Sequence, residues 1–219
     1  MKRLPFVFTL FILILLFSCG EKPESVTEIN PPEIKLSPEI EELIGDSARI
    51  IIYVNGRIVS KGLRNEIKEK KDFFVLNLPP GKQLVEVFIT GPNENVIYAL
   101  DRKIATVVPD IKNSIDIEIG PPLKFDTKVV NLAPGDEIIV TARIDASRLP
   151  EGLKNPPLKW TIDNIEGGND ELGLITTNGN SATIKGPSTL PSGQNHYLGA
   201  YYEADGKKFI AVIKINYTE

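Results

Sequence analysis

The stretch Tyr197–Tyr217, which reads YLGAYYEADGKKFIAVIKINY, decides the fold. Its second arm alternates two sets of side chains, Phe209, Ala211, Ile213, Ile215 and Tyr217 against Ile210, Val212, Lys214 and Asn216. A period of two is typical of a β-strand. The dipeptide Asp205-Gly206 between the arms tolerates the positive φ angles that a two-residue hairpin turn requires. The stretch therefore predicts a β-hairpin from Tyr197–Glu203 to Lys207–Tyr217.

The same period recurs upstream of this hairpin. Leu158, Trp160 and Ile162 alternate with polar neighbours, and residues 138–144 alternate in the same way. Pro121-Pro122 interrupts the pattern and marks a boundary. Residues 120–219 then have the size of an immunoglobulin-like sandwich, about 100 residues. In such a sandwich Trp160 is expected to pack between the two sheets.

Several landmarks of this second domain occur in a recognisable order. Pro134-Gly135-Asp136 precedes a strand, the Trp160 strand follows, and Gly179 and Gly186-Pro187 come before the final hairpin. This order resembles the bacterial immunoglobulin-like domain of cell-surface proteins. The resemblance implies an immunoglobulin-like β-sandwich over residues 120–219.

Residues 48–119 predict a smaller β-sandwich. Asn55-Gly56 lies between the β-branched runs Arg49–Val54 and Arg57–Ser60, which is a signal for a two-residue hairpin. Ser114–Ile119 alternates isoleucine with acidic residues. The segment from Leu78 to Ala99 resembles a turn-and-strand phrase of exported bacterial β-sandwich modules. The expected fold class is thus all-β, with two tandem immunoglobulin-like sandwiches after a signal peptide and a flexible linker.

The N-terminus predicts an export signal. Lys2 and Arg3 precede an apolar run over residues 4–17. A helix of that length rises about 21 Å, which is short of the roughly 30 Å hydrocarbon core of a membrane. Residues 1–18 are therefore interpreted as a signal peptide.

The segment Leu16-Phe17-Ser18-Cys19-Gly20 follows at once and resembles the lipobox of bacterial lipoproteins. The resemblance implies cleavage after Ser18, acylation of the Cys19 thiol and anchoring of the protein to a membrane by lipid. Because no Asp follows Cys19, the resemblance permits outer-membrane placement in a cell with two membranes. The expected location is the cell envelope.

Residues 19–47 are expected to be the lipidated cysteine and a flexible linker. Pro23, Pro31, Pro32 and Pro38 lie among charged and small residues, with no sustained apolar period. Pro38–Ile44 is compatible with a short helix, with Ser37 as its N-cap.

Composition excludes several classes of function. The chain has 25 Lys+Arg, 29 Asp+Glu, one Cys and one His. This balance gives no basic surface for nucleic acid, so nucleic acid is not an expected partner. One Cys and one His exclude a disulfide framework, a cysteine-rich zinc site and any two-histidine metal motif. No catalytic, cofactor-binding or metal-binding residue is assigned.

Two polar features are candidate sites. His196 has no nucleophile motif near it and is interpreted as a strand-edge residue. The loop Asp163–Glu171 is rich in oxygen ligands that suit Ca²⁺, but its spacing fails the EF-hand pattern because position 165 is Ile. A solvated loop is therefore the favoured interpretation, and calcium binding stays open.

The functional expectation is a non-catalytic, lipid-anchored envelope protein that displays its sandwiches to a protein or glycan partner. One alternative is a structural or assembly subunit of an envelope complex. A second is an accessory carbohydrate-binding lipoprotein, with Trp160, Tyr201 and Tyr202 as a platform for a sugar ring. Strand alternation predicts that one of the two tyrosines faces outward.

Overall fold

The computed structural model describes residues 25–30, 34, 36–67, 70–193 and 195–219. The α-helices of this part are Pro38–Ile44 and Arg64–Ile67, and its 3-10 helices are Gly45–Ser47, Lys71–Phe74 and Ala146–Arg148. The strands are β1 Ser25–Asn30, β2 Arg49–Val54, β3 Arg57–Leu63, β4 Val75–Leu78, β5 Gly81–Thr90, β6 Val96–Val107, β7 Asn113–Asp116, β8 Leu123–Phe125, β9 Val129–Leu132, β10 Glu137–Ile144, β11 Lys159–Ile162, β12 Ile165–Glu166, β13 Gly168–Asn169, β14 Gly173–Asn178, β15 Ser181–Lys185, β16 His196–Ala204 and β17 Lys207–Tyr217.

The predicted all-β fold of packed sandwiches is confirmed. In the C-terminal half, one sheet has the order β13-β14-β15-β10-β8, and the facing strands are β12-β11-β16-β17 with β9 on the far side of β17. The runs β14-β15-β10-β8 and β11-β16-β17 reproduce the ABED and CFG sheets of an immunoglobulin-like sandwich. The predicted hairpin is present, with β16 and β17 antiparallel from His196↔Ile215 to Ala204↔Lys207.

The core of this sandwich lies between the inner faces of the two sheets. Trp160 is 1% exposed and packs edge-on against Phe125 at 5.8 Å between ring centroids. Val140 and Ala182, which are opposed in the register of β10 and β15, are also buried in this core. Trp160 therefore packs between the sheets, as its alternation predicts.

The N-terminal half builds a second core from two sheets. Strands β3-β2-β5-β6 form an antiparallel run, and β4-β1-β7 form a separate three-stranded sheet. Apolar side chains from both sheets, Ile29, Ile50, Ile52, Val85, Val87 and Ile115 among them, meet in this core.

One continuous sheet connects the halves. Strand β17 runs parallel to β6, with Lys208 opposite Val96 and Phe209 opposite Ile97. Phe209 belongs to the C-terminal core, whereas Ile210 on the opposite face of β17 belongs to the N-terminal core. This arrangement explains why the segment FIAVI is apolar on both faces.

The structure differs from the flexible linker expected over residues 19–47. Ser25–Asn30 forms β1, which pairs with β4 and β7 and buries Ile29 completely. Pro38–Ile44 is helical, and the Ser37 hydroxyl accepts a hydrogen bond from the Ile40 amide at 3.4 Å. The helix buries Ile40 and Ile44 against the sheet that both halves share. The composition suggested that this segment could not bury enough apolar surface to offset the conformational entropy lost on folding. Burial of these isoleucines supplies that offset.

The expected signal peptide, residues 1–18, and Cys19 lie outside the described residues. Within the described part of the chain, no helix has the length and apolar character needed to cross a membrane.

Candidate functional site

A groove runs between the helix Pro38–Ile44 and the edge of the C-terminal sandwich. Its volume is about 580 Å³, which is within the usual range of about 300–1,000 Å³ for ligand sites. Its walls are mostly apolar and come from the helix, from β6 and from β8, with Leu36, Pro38, Ile40, Tyr98, Leu123 and Phe125 as the principal residues. Lys124, Lys128 and Glu39 are the charged residues at its border.

The paths of three strands create the groove. Strand β6 pairs with β17 only at Phe209 and the residue before it. The chain then runs from β8, which pairs with β10, across to β9, which pairs with β17 from Lys214 onward. Within the described part of the chain, no strand pairs with residues 210–213 of β17 on this side. The interruption forms the floor of the groove.

The backbone of Val212 points into this interruption. The Lys208 amide donates to the Asn95 carbonyl at 2.7 Å, and the Thr218 amide donates to the Leu132 carbonyl at 3.1 Å, both on the side away from β16. Backbone groups of alternate strand residues point the same way, and the pairing of β16 with β17 has no register shift. The N–H and C=O of Val212 therefore face the groove, although this residue is only 9% exposed.

Two lysines lie at the charged border of the groove. Lys124 lies 3.7 Å from Asp145 and is largely exposed. Lys128 has no carboxylate within 4 Å among the described residues. Burial raises the pKa of the Tyr98 hydroxyl in the wall, so this group is neutral over the physiological range. The groove thus combines apolar walls, an open strand edge and two lysines.

His196 lies elsewhere, at the start of β16, where it is 8% exposed. Its Nδ1 is 2.6 Å from Asp163 Oδ2, and its ring meets Tyr217 edge-on with 5.2 Å between the centroids. The second Asp163 oxygen accepts a hydrogen bond from the Tyr197 amide at 2.8 Å. The histidine that the sequence placed at a strand edge is therefore a buried, paired residue that closes the base of a loop.

The oxygen-rich loop Asp163–Glu171 directs its side chains to different partners. Asp163 binds His196, and Asn169 caps the amides of the two residues that follow Asp170. Glu166 accepts a hydrogen bond from the Tyr201 hydroxyl at 2.8 Å. Among the residues that the structure describes, no three His, Cys, Asp or Glu side chains converge in a way that would hold a metal ion.

The three aromatic residues considered for sugar binding form no exposed platform. Trp160 and Tyr202 are each 1% exposed, and Tyr201 is 4% exposed. Strand alternation places the two tyrosines on opposite faces, but the outer face is covered too, because Lys208 Nζ lies 3.6 Å from the centre of the Tyr201 ring. The expectation of one outward-facing tyrosine was therefore wrong. Burial, with the hydrogen bond to Glu166, raises the pKa of Tyr201 to about 12.

The groove has no direct signal in the sequence. Its floor depends on where β6 and β9 leave β17, and alternation within one strand does not report on its neighbours. The two-sided apolar character of residues 209–213 was the one available indication that both faces of β17 are covered.

Comparison with known proteins gives distant likenesses in fold. The sequence matches no protein-family model and no curated protein. Among solved structures, the titin M10–obscurin-like 1 immunoglobulin complex covers 46% of this chain and 96% of its own, at 16% identity and a TM-score of 0.30. The S-layer protein SbsC domains 4 and 5 cover 84% of this chain and 82% of their own, at 11% identity and a TM-score of 0.29.

The Sidekick-1 immunoglobulin domains 1–4 cover 89% of this chain, which spans 48% of theirs, at 12% identity and a TM-score of 0.30. The immunoglobulin-like assignment of the C-terminal half rests on its own strand order.

Proposed function

We propose that this protein is a lipid-anchored, non-catalytic protein of the bacterial cell envelope that presents a rigid β scaffold to a protein partner. The observation that carries the proposal is the position of Cys19, the only cysteine, directly after the apolar run of residues 4–17. Acyl chains on its sulfur would bind the membrane firmly, because each buried methylene contributes about 0.8 kcal/mol.

The architecture supports a display role. Both cores share one sheet, and Arg148 hydrogen-bonds across the junction of the two halves to the carbonyls of Leu100 and Glu118. A binding surface that includes both halves would therefore keep its shape. Ser25 opens the first described strand six residues after Cys19, a distance of at most about 21 Å when fully extended. An anchored scaffold would sit close to the membrane.

The described chemistry favours binding over catalysis. His196 is paired with Asp163, and Glu166 accepts a hydrogen bond from the Tyr201 hydroxyl. The groove beside the helix Pro38–Ile44 offers apolar contact area and an open strand edge instead of a nucleophile with an adjacent base. A groove of this kind suits recognition of a polypeptide.

The test of the anchor is the mass of the N-terminal peptide of the full chain, expressed with its leader in a bacterial host. We expect a peptide that begins at Cys19 and carries diacylglyceryl and acyl additions, together with recovery of the protein in the membrane fraction. Cys19→Ser should abolish both. A matched control places the single thiol at another site, Glu24→Cys in the Cys19→Ser background, and should also lack lipid. An unmodified Cys19 thiol in the parent chain would refute the proposal.

A further inference from the structure

We propose that the groove binds an extended, acidic segment of a partner protein, which pairs with β17 at Val212 as an added strand. This inference rests on the proposed role in protein binding and identifies the surface and the chemistry of the partner. In strand addition, main-chain hydrogen bonds supply affinity and flanking pockets select the side chains.

The open backbone of Val212 argues for a polypeptide ligand. Its N–H and C=O face the groove, and the residue is 9% exposed. Buried backbone groups in proteins are nearly always paired, because an unpaired group costs about as much as a lost hydrogen bond. A peptide backbone offers both a donor and an acceptor at the required spacing. An acyl chain would pack against the apolar walls but would leave the N–H and C=O of Val212 without hydrogen-bond partners.

The neighbouring strands set the direction of the added segment. Both β6 and β9 pair with β17 in parallel, on either side of the interruption. A parallel segment opposite residues 210–213 would continue the sheet between them over about 13 Å, at 3.3 Å per residue. Side chains of such a segment would point alternately toward the two walls, where Leu36 and Phe125 offer apolar surface. The groove therefore suits a short alternating sequence.

Charge complementarity sets the preference for acidic residues. Lys124 and Lys128 border the groove together with Glu39, and Lys124 is paired with Asp145 at 3.7 Å. Lys128 has no carboxylate within 4 Å among the described residues, so a carboxylate of a bound segment can pair with it. Complementary charges at the rim of a binding site raise association rates and specificity. A segment with glutamate or aspartate at its ends is thus favoured over a basic one.

The test uses the full chain in lipid nanodiscs and three fluorescently labelled peptides. The first is Glu-Val-Thr-Val-Glu, the second replaces both glutamates by lysine, and the third keeps the glutamates but carries N-methylated central amides. We expect the first peptide to bind, and the other two to bind at least about tenfold more weakly, which corresponds to roughly 1.4 kcal/mol. Equal binding of the N-methylated peptide would overturn strand addition. No binding of the first peptide would overturn the proposal as a whole.

Variants locate the site. Lys128→Glu should weaken binding of the first peptide about fivefold, while Lys154→Glu, the same charge change on an exposed loop, should leave it unchanged. Val212→Pro removes the N–H that faces the groove and should abolish binding, since an added strand would lose its donor. Its missing N–H faces away from β16, so the β16–β17 ladder is kept, but the change also replaces a side chain of the N-terminal core. Should this variant lose its β-sheet circular dichroism, Lys128→Glu and the N-methylated peptide still decide the question. Equal effects of Lys128→Glu and Lys154→Glu would place the peptide elsewhere.

This test is independent of the anchor. A failure of lipidation would appear in the mass of the N-terminal peptide and would leave peptide binding unchanged, whereas a failure of strand addition would leave the lipid mass unchanged. The two results therefore identify which proposal has failed.

Discussion

Arg148 and Asp101 join the two halves of the molecule through a nearly buried contact. Arg148 Nη1 lies 3.4 Å from Asp101 Oδ1 and donates to the carbonyls of Leu100 and Glu118 at 3.1 Å each. The Arg148 side chain is 12% exposed and the Asp101 side chain 9% exposed. Asp101 also accepts a hydrogen bond from the Glu118 amide at 2.6 Å. One guanidinium thus holds β6, the segment that follows β7 and the C-terminal sandwich in a fixed relation.

Arg148→Ala should destabilise the protein by about 2 kcal/mol, because it removes the cation beside the Asp101 carboxylate and a donor to the Leu100 and Glu118 carbonyls. Asp101 keeps the Arg102 and Glu118 amides as donors, and the Leu100 carbonyl keeps the Gly120 amide. The measurement is urea unfolding followed by circular dichroism. Arg143→Ala, at an exposed position on β10, is the matched control and should change the free energy of unfolding by less than about 0.5 kcal/mol. Similar stabilities of the two variants would show that Arg148 does not stabilise the junction of the two halves.

Gly120→Ala should destabilise the protein because of the same guanidinium. An added Cβ at position 120 would lie 2.6 Å from Arg148 Nη2, so the arginine would have to move. In the Arg148→Ala background this clash is absent, and the additional cost of Gly120→Ala should be small. A double-mutant cycle should therefore give a coupling of about 1 kcal/mol or more. Additive effects would show that Gly120 is needed for some other reason.

Residues 25–47 should contribute to the folded state. A chain that begins at Ala48 loses the buried side chains of Ile29, Ile40 and Ile44, each of which contributes about 1.5–3 kcal/mol on burial. We expect it to unfold at markedly lower urea concentration than a chain that begins at Ser25, which should match the full chain. Coincident unfolding curves for all three would restore the flexible-linker interpretation of this segment.

The sequence was sufficient where local chemistry determines structure. Asp205 and Gly206 have φ angles of 52° and 71°, and Asn55 and Gly56 have 50° and 77°, as their two-residue turns require. Trp160 is buried because it alternates in phase with its apolar neighbours. Turn residues and strand alternation are short-range properties, so a single sequence is sufficient to predict them.

The sequence was insufficient where distant segments meet. Strand β1 was missed because its pattern is inverted: Thr27 is fully buried, while Val26 is 47% exposed. The parallel pairing of Phe209 with Ile97 joins residues more than a hundred positions apart, and alternation indicates that a face is buried without identifying what covers it. The groove follows from where that pairing ends, so it could not be derived from the sequence.

Trp160 should report its burial in fluorescence. It is the only tryptophan in the chain, so the emission is assigned without ambiguity. Because the indole is 1% exposed, we expect a blue-shifted native emission that acrylamide quenches weakly, and a red-shifted, readily quenched emission in urea. Strong quenching of the native protein would instead place Trp160 on an exposed surface and would reopen the sugar-platform alternative.

The tyrosines should make the protein sensitive to alkaline pH. Burial is the main cause that raises the pKa of Tyr201, Tyr202 and Tyr217 to about 12, and it also raises the pKa values of Tyr53, Tyr98 and Tyr197. In the unfolded chain these groups ionise near pH 10. Between about pH 10 and 12 the unfolded state therefore binds fewer protons than the folded state, so the free energy of unfolding falls as the pH rises. The contribution of these tyrosines to the free energy of unfolding is fully present below pH 10 and is lost as the pH rises through their folded-state pKa values.

The measurement is the absorbance of tyrosinate at alkaline pH. The protein in urea should titrate with a midpoint near pH 10, whereas the native protein should show little tyrosinate there and should ionise together with unfolding at higher pH. Tyr201→Phe removes one raised pKa without opening the core and should lessen the loss of stability over the same range. A native titration that coincides with the one in urea would mean that these hydroxyls are not buried, and that the outer face of β16 lacks the cover that Lys208 and the N-terminal core provide.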